Sequence, residues 1–227
     1  MAFAALALMG LSACQDEKAS DGVTRITYYP ILTIEGESSM LVDKGTAYVE
    51  PGYAAELNGN DVTDEVVVSS NVDVNTSGIY AVTYSIANED GFSSTVTREV
   101  IVLDASDPYE GIYMTDPNNY RLYNGAQVKY GAAYQIKIIG QGNGVYYVDD
   151  LLGGWYCQRY GYGTNYAMQA YIQVDAGGNF TLLQSYVPGW DDTAEFLQDG
   201  KFDNGTVSYM VEYTTYLMDF YVTMYKQ

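Results

Sequence analysis

Short segments that alternate apolar with polar residues run through most of the chain beyond its first twenty residues. In residues 78–87, GIYAVTYSIA, every second side chain is apolar or aromatic, which predicts a strand with one buried face. Asp90-Gly91 follows this segment and favours a tight hairpin turn, because both residue types tolerate positive φ. Residues 96–103 alternate again, so we expect the two strands to pair.

The second half of the chain shows the same alternation with equally clear turns. Two of its turn signals are Gly177-Gly178-Asn179 and Asn204-Gly205, each placed between alternating segments. The expected strands lie within residues 167–174, 180–187, 202–213 and 216–225. We count about eight to ten strands after residue 108 and no helix, which predicts an antiparallel β-barrel or a two-sheet β-sandwich.

A joint between two all-β domains is predicted at residues 104–108, DASDP. A chain of 227 residues accommodates two domains of about 100–150 residues, and this polar, proline-ended segment separates two different compositions. Of the 25 tyrosines, 19 follow it. We expect one domain over residues 23–104 and a tyrosine-rich antiparallel β domain over residues 108–227.

The first of these domains resembles the immunoglobulin-like domains of bacterial cell-surface proteins. That family's pattern is a Pro-Gly after the first strands, a Thr-x-Gly-x-Tyr-x-Val-x-Tyr strand, an Asp-Gly turn and a closing Arg-x-Val-x-Val strand. The residues in these places are Pro51, Gly52, Gly78, Tyr80, Val82, Tyr84, Asp90, Gly91, Arg98, Val100 and Val102. The resemblance implies an immunoglobulin-like sandwich of about eighty residues that serves as a spacer or interaction module and has no catalytic residue.

The first residues of the chain are typical of a secretory signal. Residues 3–11, FAALALMGL, form an apolar run that is too short to span a bilayer core of about 30 Å. No Lys or Arg precedes the run, which departs from the usual signal pattern. The alternative is a buried strand or short helix at the start of the fold.

The segment Leu11-Ser12-Ala13-Cys14 matches a lipobox, so the start of the chain resembles a bacterial lipoprotein precursor in which Cys14 carries the lipid. We therefore expect a signal peptide over residues 1–13, a lipid tether over residues 14–22 and anchoring in an outer membrane. The acidic residues after the cysteine resemble the export signal of surface lipoproteins. They favour the cell exterior over the periplasm without excluding the latter.

Charge and composition exclude several classes of function. Lys and Arg total 10 against 29 Asp and Glu, and a net charge of -19 repels nucleic acid. The absence of histidine removes the commonest general base and zinc ligand. No calcium loop of the D-x-[DN]-x-[DN]-G type occurs. We expect no enzymatic activity, no cofactor and no metal, and we interpret Cys157 as a buried thiol.

Residues 146–166, YYVDDLLGGWYCQRYGYGTNY, are the richest candidate for a binding loop. Aromatic rings offer flat faces that stack on the apolar side of a sugar, and neighbouring carboxylates or amides accept its hydroxyls. A second candidate is the turn VPGWDD, because loops on rigid scaffolds often carry binding residues. The candidate glycan ligands are Trp155, Tyr156, Tyr160, Tyr162, Trp190, Asp191 and Asp192, with Tyr166, Asp149, Asp150 and Asn165 as further candidates.

Each of these candidates has a structural alternative. Tyrosine has high β propensity, so alternating tyrosines also simply line one side of a sheet. A tryptophan in a turn, such as Trp190, is equally suited to plugging one end of a barrel. The two Asp-Asp pairs would serve glycoside hydrolysis only if the fold brought carboxylates to about 5–10 Å from one another.

The C-terminal domain resembles an uncharacterised domain of surface lipoproteins from glycan-utilisation loci, of the starch-utilisation type, in gut anaerobes. The residues that carry this resemblance are 109–113 and 148–156. It implies an accessory of a glycan-uptake system that binds extracellular polysaccharide, with transporter components of the outer membrane as further partners. The alternatives are a structural or adhesive module that makes protein–protein contacts and, third, a glycosidase that works through carboxylates.

Overall fold

The computed structural model describes residues 26–194, 196–213 and 216–227, and their regular secondary structure is almost entirely β. The predicted all-β fold class is confirmed. No helix in the described part of the chain is long and apolar enough to cross a membrane. Cys14 and the predicted signal peptide and tether lie outside the described residues.

The described residues of the N-terminal domain form seven strands in two sheets. The strands are β1 (Ile31–Ile34), β2 (Ser39–Asp43), β3 (Tyr53–Leu57), β4 (Asn60–Asp61), β5 (Val67–Ser70), β6 (Gly78–Ala87) and β7 (Ser93–Leu103). One sheet has the order β1-β3-β4 and the other β2-β7-β6-β5, in which β2 runs parallel to β7. The predicted hairpin pairs Gly78–Ala87 with Ser93–Leu103 over their full length.

The alternation of β6 and β7 directs one face of the hairpin into the sandwich core. Val82, Tyr84 and Val100 are buried there as the pattern predicts. Arg98 occupies the same inward face and is fully buried. Its guanidinium lies 3.1 Å from the Glu50 carboxylate and donates hydrogen bonds to backbone carbonyls, which offsets the cost of burying a charge.

Ten strands of the described chain form one curled antiparallel sheet in the C-terminal domain. They are β8 (Gly111–Thr115), β9 (Tyr120–Tyr123), β10 (Ala126–Lys129), β11 (Gln135–Gly142), β12 (Val145–Val148), β13 (Gln169–Val174), β14 (Phe180–Tyr186), β15 (Phe196–Asp203), β16 (Thr206–Tyr213) and β17 (Met218–Lys226). The sheet forms a half-barrel. The sequence analysis predicted an antiparallel β-barrel or a two-sheet sandwich, and the structure has a single curled antiparallel sheet.

Strand β17 is a central strand of this sheet and connects its two parts. It pairs along its whole length with β16 on one side, and with β9 and then β8 on the other. Because a twisted sheet curls, the inward-facing side chains of distant strands share one core. That core includes Met168, Ala170, Ile172, Val207, Val211 and Phe220. The predicted Asn204-Gly205 turn is confirmed, since both residues have positive φ between β15 and β16.

The two domains contact one another through a small apolar cluster and a buried carboxylate. Ile101 and Leu103, at the end of β7, pack against Ile139 of β11. The nearly buried Glu110 accepts hydrogen bonds from the amide of Asp104 at 2.6 Å and the amide of Gly140 at 2.7 Å. These contacts tie the domain joint to the half-barrel and restrict its bending.

We expect Glu110→Gln to lower the free energy of unfolding by about 1–3 kcal/mol. The glutamine NH₂ group would face one of the two backbone N–H donors, which would then lack an acceptor inside the interface. Urea denaturation followed by circular dichroism measures the loss. Glu56→Gln changes the charge equally at an exposed strand position and serves as control. Equal stability of the two variants would contradict this role of Glu110.

Candidate ligand-binding cleft

The loop after β12 changes direction at two glycines and then forms one turn of π-helix over Trp155–Arg159. Gly153 and Gly154 have φ values of 59° and 83°, which L side chains rarely adopt. A Cβ on Gly154 would also lie 2.7 Å from Tyr134. The glycines therefore allow the aromatic residues that follow to turn back over the open side of the half-barrel.

Asp150 organises this loop from inside the protein. Its Oδ1 accepts the amide hydrogens of Leu152 at 3.0 Å and Met168 at 3.1 Å, and its Oδ2 accepts that of Gly154 at 3.1 Å. Burial raises the pKa of the carboxyl to about 7, against the effect of these three N–H groups and with a contribution from the negative charge of Asp149. The residue is 2% exposed, so it does not contact a ligand in solvent.

Trp155, a candidate ligand in the sequence analysis, is fully buried and presents no ring face to solvent in this structure. The indole packs against Tyr130 and Phe220, with ring centroids 4.8 and 5.9 Å away. The guanidinium carbons of Arg159 and Arg121 lie 4.3 and 5.0 Å from its ring. Trp155 is a core residue that supports the loop from below.

Four other aromatic residues form a connected surface cluster above this core. Tyr156 lies nearly parallel to Tyr162, at a centroid distance of 6.4 Å, and meets Trp190 edge to face at 4.6 Å. Tyr166 bridges Tyr162 and Trp190 at 5.5 and 5.0 Å. Tyr162 is 52% exposed and Trp190 43% exposed. The cluster therefore holds aromatic rings rigidly while leaving two of them open to solvent.

The VPGWDD turn reaches this cluster because Gly189 has no side chain. A Cβ there would lie 2.6 Å from the ring of Tyr166, and the Gly189 amide donates to the carbonyl of Asn165 at 2.6 Å. Asp191, at a positive φ of 51°, accepts a hydrogen bond from the Tyr186 hydroxyl at 2.9 Å. Asp191 therefore completes the turn, while its neighbour Asp192 lines a cleft beside Trp190.

The cleft has a volume of about 410 Å³, and its second side comes from the β16–β17 hairpin. Tyr156, Tyr162, Trp190 and Asp192 line one part, and Tyr213, Tyr216 and Met218 line the rest. The sequence analysis named every residue of the first group as a candidate for ligand binding and none of the second group. Tyr213 lies at the end of β16 and Met218 at the start of β17, and the alternation of these strands did not reveal that a cleft opens at this end of the hairpin.

The remaining candidates lie outside this cleft. Tyr160 is 46% exposed and its ring stacks near Tyr156 at 6.1 Å, so it extends the aromatic surface without lining the cleft. Asp149 forms an ion pair with Lys137 at 3.5 Å. Cys157 is partly buried, and burial raises the pKa of its thiol to about 11. The described residues contain no cluster of metal ligands.

The fold and the cleft define a class of protein, a two-domain β module with an immunoglobulin-like base and an aromatic cleft in its second domain. Residues 32–102 match the family model of the immunoglobulin-like domain of bacterial surface proteins. Residues 103–226 match the model of the BT2262-like C-terminal domain. These matches agree with the two-domain organisation of the strands.

A solved structure identifies the family. The chain is 38% identical to the lipoprotein BT2262 from Bacteroides thetaiotaomicron, with a TM-score of 0.78, and the match covers 88% of this chain and 100% of that one. The chain belongs to the BT2262-like family. The bacterial surface domain and the lipoprotein relative together indicate a cell-surface lipoprotein.

Two further matches come from ZmpB of Clostridium perfringens. A structure of its M60 catalytic domain with CBM51-1 and CBM51-2 is 22% identical over 54% of this chain and 14% of that one, with a TM-score of 0.29. A structure of CBM51-2 in complex with GlcNAc and INT domains is 21% identical over 52% and 28%, with a TM-score of 0.28. At such TM-scores these matches carry no argument about binding. No curated protein sequence matches the chain.

Proposed function

We propose that the protein is a lipid-anchored outer-membrane protein that faces the cell exterior and binds extracellular polysaccharide in the aromatic cleft. It would act as a non-enzymatic accessory of a glycan-uptake system, in contact with transporter components. The observation that carries the proposal is the exposure of Trp190 and Tyr162 at the border of a cleft that also contains Asp192.

The geometry of the cleft suits a sugar chain in three respects. Its exposed rings offer flat apolar faces, and packing against Tyr156 and Tyr166 fixes them, so little conformational entropy is lost on binding. The Asp192 carboxylate supplies an acceptor for hydroxyl groups. The rings lie at the protein surface, so a polymer would reach them without its ends entering the protein.

The rest of the architecture supports the same function. A lipid on Cys14 would attach the chain to the membrane, and the immunoglobulin-like domain would hold the half-barrel away from it. The contacts of Glu110 and Ile139 at the joint make this spacer stiff. Many weak sites on one membrane would retain a polymer through avidity, so a single cleft needs only modest affinity.

Trp190→Ala is expected to weaken polysaccharide binding at least tenfold, about 1.4 kcal/mol, because it removes the largest aromatic ring system among the exposed residues that line the cleft. Affinity gel electrophoresis against a panel of polysaccharides measures the change. The matched control is Tyr171→Ala, which removes a 38% exposed aromatic ring from β13, a strand that contributes no residue to the cleft. Equal retention of Trp190→Ala and wild type would contradict the proposal.

The second candidate is an adhesive or structural module that contacts proteins. Strand β5 favours it, since this edge strand is exposed along its whole length and presents Val67 and Val68, 66% and 43% exposed. Exposed strand edges pair readily with strands of other proteins. Failure of every glycan in the panel to retard the wild-type protein would favour this candidate, whereas release of reducing ends would indicate a glycosidase.

A further inference from the structure

Arg121 on β9 is a half-buried cation with no acidic partner among the described residues. Its Nη1 lies 3.8 Å from the sulfur of Met218, the guanidinium also donates a hydrogen bond to the hydroxyl of Tyr156, and its Nε is buried without a hydrogen-bond acceptor. Its guanidinium carbon lies 5.3 Å from the ring of Tyr123 and 5.0 Å from that of Trp155. Two aromatic faces, the Met218 sulfur and the Tyr156 hydroxyl therefore supply the compensation for this charge, and no carboxylate of the described residues contributes to it.

In a chain with a net charge of -19, acidic side chains greatly outnumber basic ones, so most buried cations should find a carboxylate partner. Arg121 has none among the described residues. The other arginine with a buried guanidinium, Arg98, has the ion pair with Glu50 and several carbonyl acceptors. An uncompensated cation in a partly desolvated place costs free energy, and such costs are commonly retained at functional sites. Arg159, which also packs on Trp155, adds a second positive charge to the same region.

The charge of Arg121 lies one side chain away from the cleft. Met218 lines the cleft, and its sulfur contacts both Arg121 Nη1 and, at 3.5 Å, the hydroxyl of Tyr156. Burial raises the pKa of Tyr156, and a hydrogen bond from Arg121 together with its positive charge opposes that rise, so a residue of the cleft lining interacts directly with the guanidinium. Methionine is unbranched and flexible, so its side chain can yield to a stronger acceptor.

We infer that the cleft selects acidic polysaccharides, in which a sugar carboxylate takes the place of the Met218 sulfur at the guanidinium of Arg121. A planar carboxylate fits the donor fork of arginine and would give the guanidinium a charged acceptor in place of the sulfur. Asp192 is not paired with Arg121 among the described ion pairs, and it remains available to sugar hydroxyls. The inference rests on the proposed glycan binding and narrows its substrate class.

The test uses polymers that differ in charge on one backbone. Polygalacturonate is compared with its methyl ester, and carboxymethylcellulose with hydroxyethylcellulose, in affinity gels at 0.15 M salt, about an 8 Å screening length. We expect wild type to bind an acidic member at least tenfold more tightly than its neutral counterpart. Arg121→Gln should remove this preference and leave neutral binding unchanged, whereas Arg121→Lys should retain most of it.

The control for charge is Lys129→Gln, which removes a positive charge at an exposed position on β10 and should leave the preference intact. Equal binding of both members of each pair by wild type, or an unchanged preference in Arg121→Gln, would overturn the inference while leaving the proposed function in place. Retention of none of the four polymers would also overturn the inference, and the wider polysaccharide panel then decides whether the proposed function fails with it. Thermal unfolding of each variant confirms that it is folded, and Arg121→Met, which removes the charge but keeps an unbranched side chain against the ring of Trp155, replaces Arg121→Gln if that variant is unfolded.

Discussion

Trp155→Ala is expected to lower the free energy of unfolding by about 3–5 kcal/mol. The indole is fully buried, and its removal would leave a cavity between Tyr130 and Phe220. The change would also leave the guanidinium groups of Arg121 and Arg159 without the ring face against which they lie. Because these groups belong to different strands and loops, the surroundings can collapse only partly into the space.

Urea denaturation of the isolated variant, followed by circular dichroism, measures this loss. Trp190→Ala is the matched control, since it removes the same side chain from a 43% exposed position and should cost about 1 kcal/mol or less of stability. A Trp155→Ala variant as stable as Trp190→Ala would show that the indole is not part of the core. The comparison also shows which tryptophan variant reports on ligand binding, because only a folded variant does so.

Asp150→Ala is the second change with a large expected effect, a loss of about 3 kcal/mol or more. It would leave three buried N–H groups, of Leu152, Gly154 and Met168, without an acceptor, and each such group costs about 1–3 kcal/mol. Asp150→Asn keeps one oxygen, which can still accept two of these hydrogen bonds, so it should be less damaging. The same urea experiment measures both, with the exposed Asp203→Ala as control.

Asp150 should also make stability depend on pH in an unusual direction. Its folded-state pKa, raised to about 7 by burial, lies above the unfolded value of about 3.9, so the folded protein binds the proton more tightly. The contribution of this group to stability is therefore fully present below about pH 4 and is lost as the pH rises through 7. Asp150→Asn, which does not titrate, should flatten this part of the profile between pH 5 and pH 8. A wild-type profile as flat as that of Asp150→Asn would contradict the assignment.

These two predictions bear on how the cleft is held in place. Asp150 fixes the backbone that leads into the π-helix, and Trp155 fixes the loop to the half-barrel core. The positions of Tyr156 and Tyr162 therefore depend on both Asp150 and Trp155. Loss of binding in an Asp150 or Trp155 variant would therefore report on folding of the loop, whereas Trp190 and Arg121 test recognition itself.

The sequence identified candidate residues where a short segment combined aromatic residues, glycines and carboxylates. The glycine-flanked aromatic run and the Pro-Gly-Trp-Asp-Asp turn both contribute to the cleft, through Tyr156, Tyr162, Trp190 and Asp192. Trp155 stands in the same run and has the same residue type as Trp190, yet one is buried and the other exposed. No local pattern separates them, because exposure depends on how far the half-barrel core covers each ring.

The strands, the hairpins and the division into two β domains follow from short-range chemistry. A period of two residues, and turn residues that tolerate positive φ, act over a few positions, and a linear chain displays them directly. The cleft depends on contacts between residues about thirty to sixty positions apart, such as Tyr156 with Met218 and with Trp190. Such contacts arise because the sheet curls around β17. The degree of curl depends on all the strands of the sheet together, so no short segment determines it. For that reason the second side of the cleft, and the position of Arg121 without a carboxylate partner among the described residues, became visible only in the folded protein.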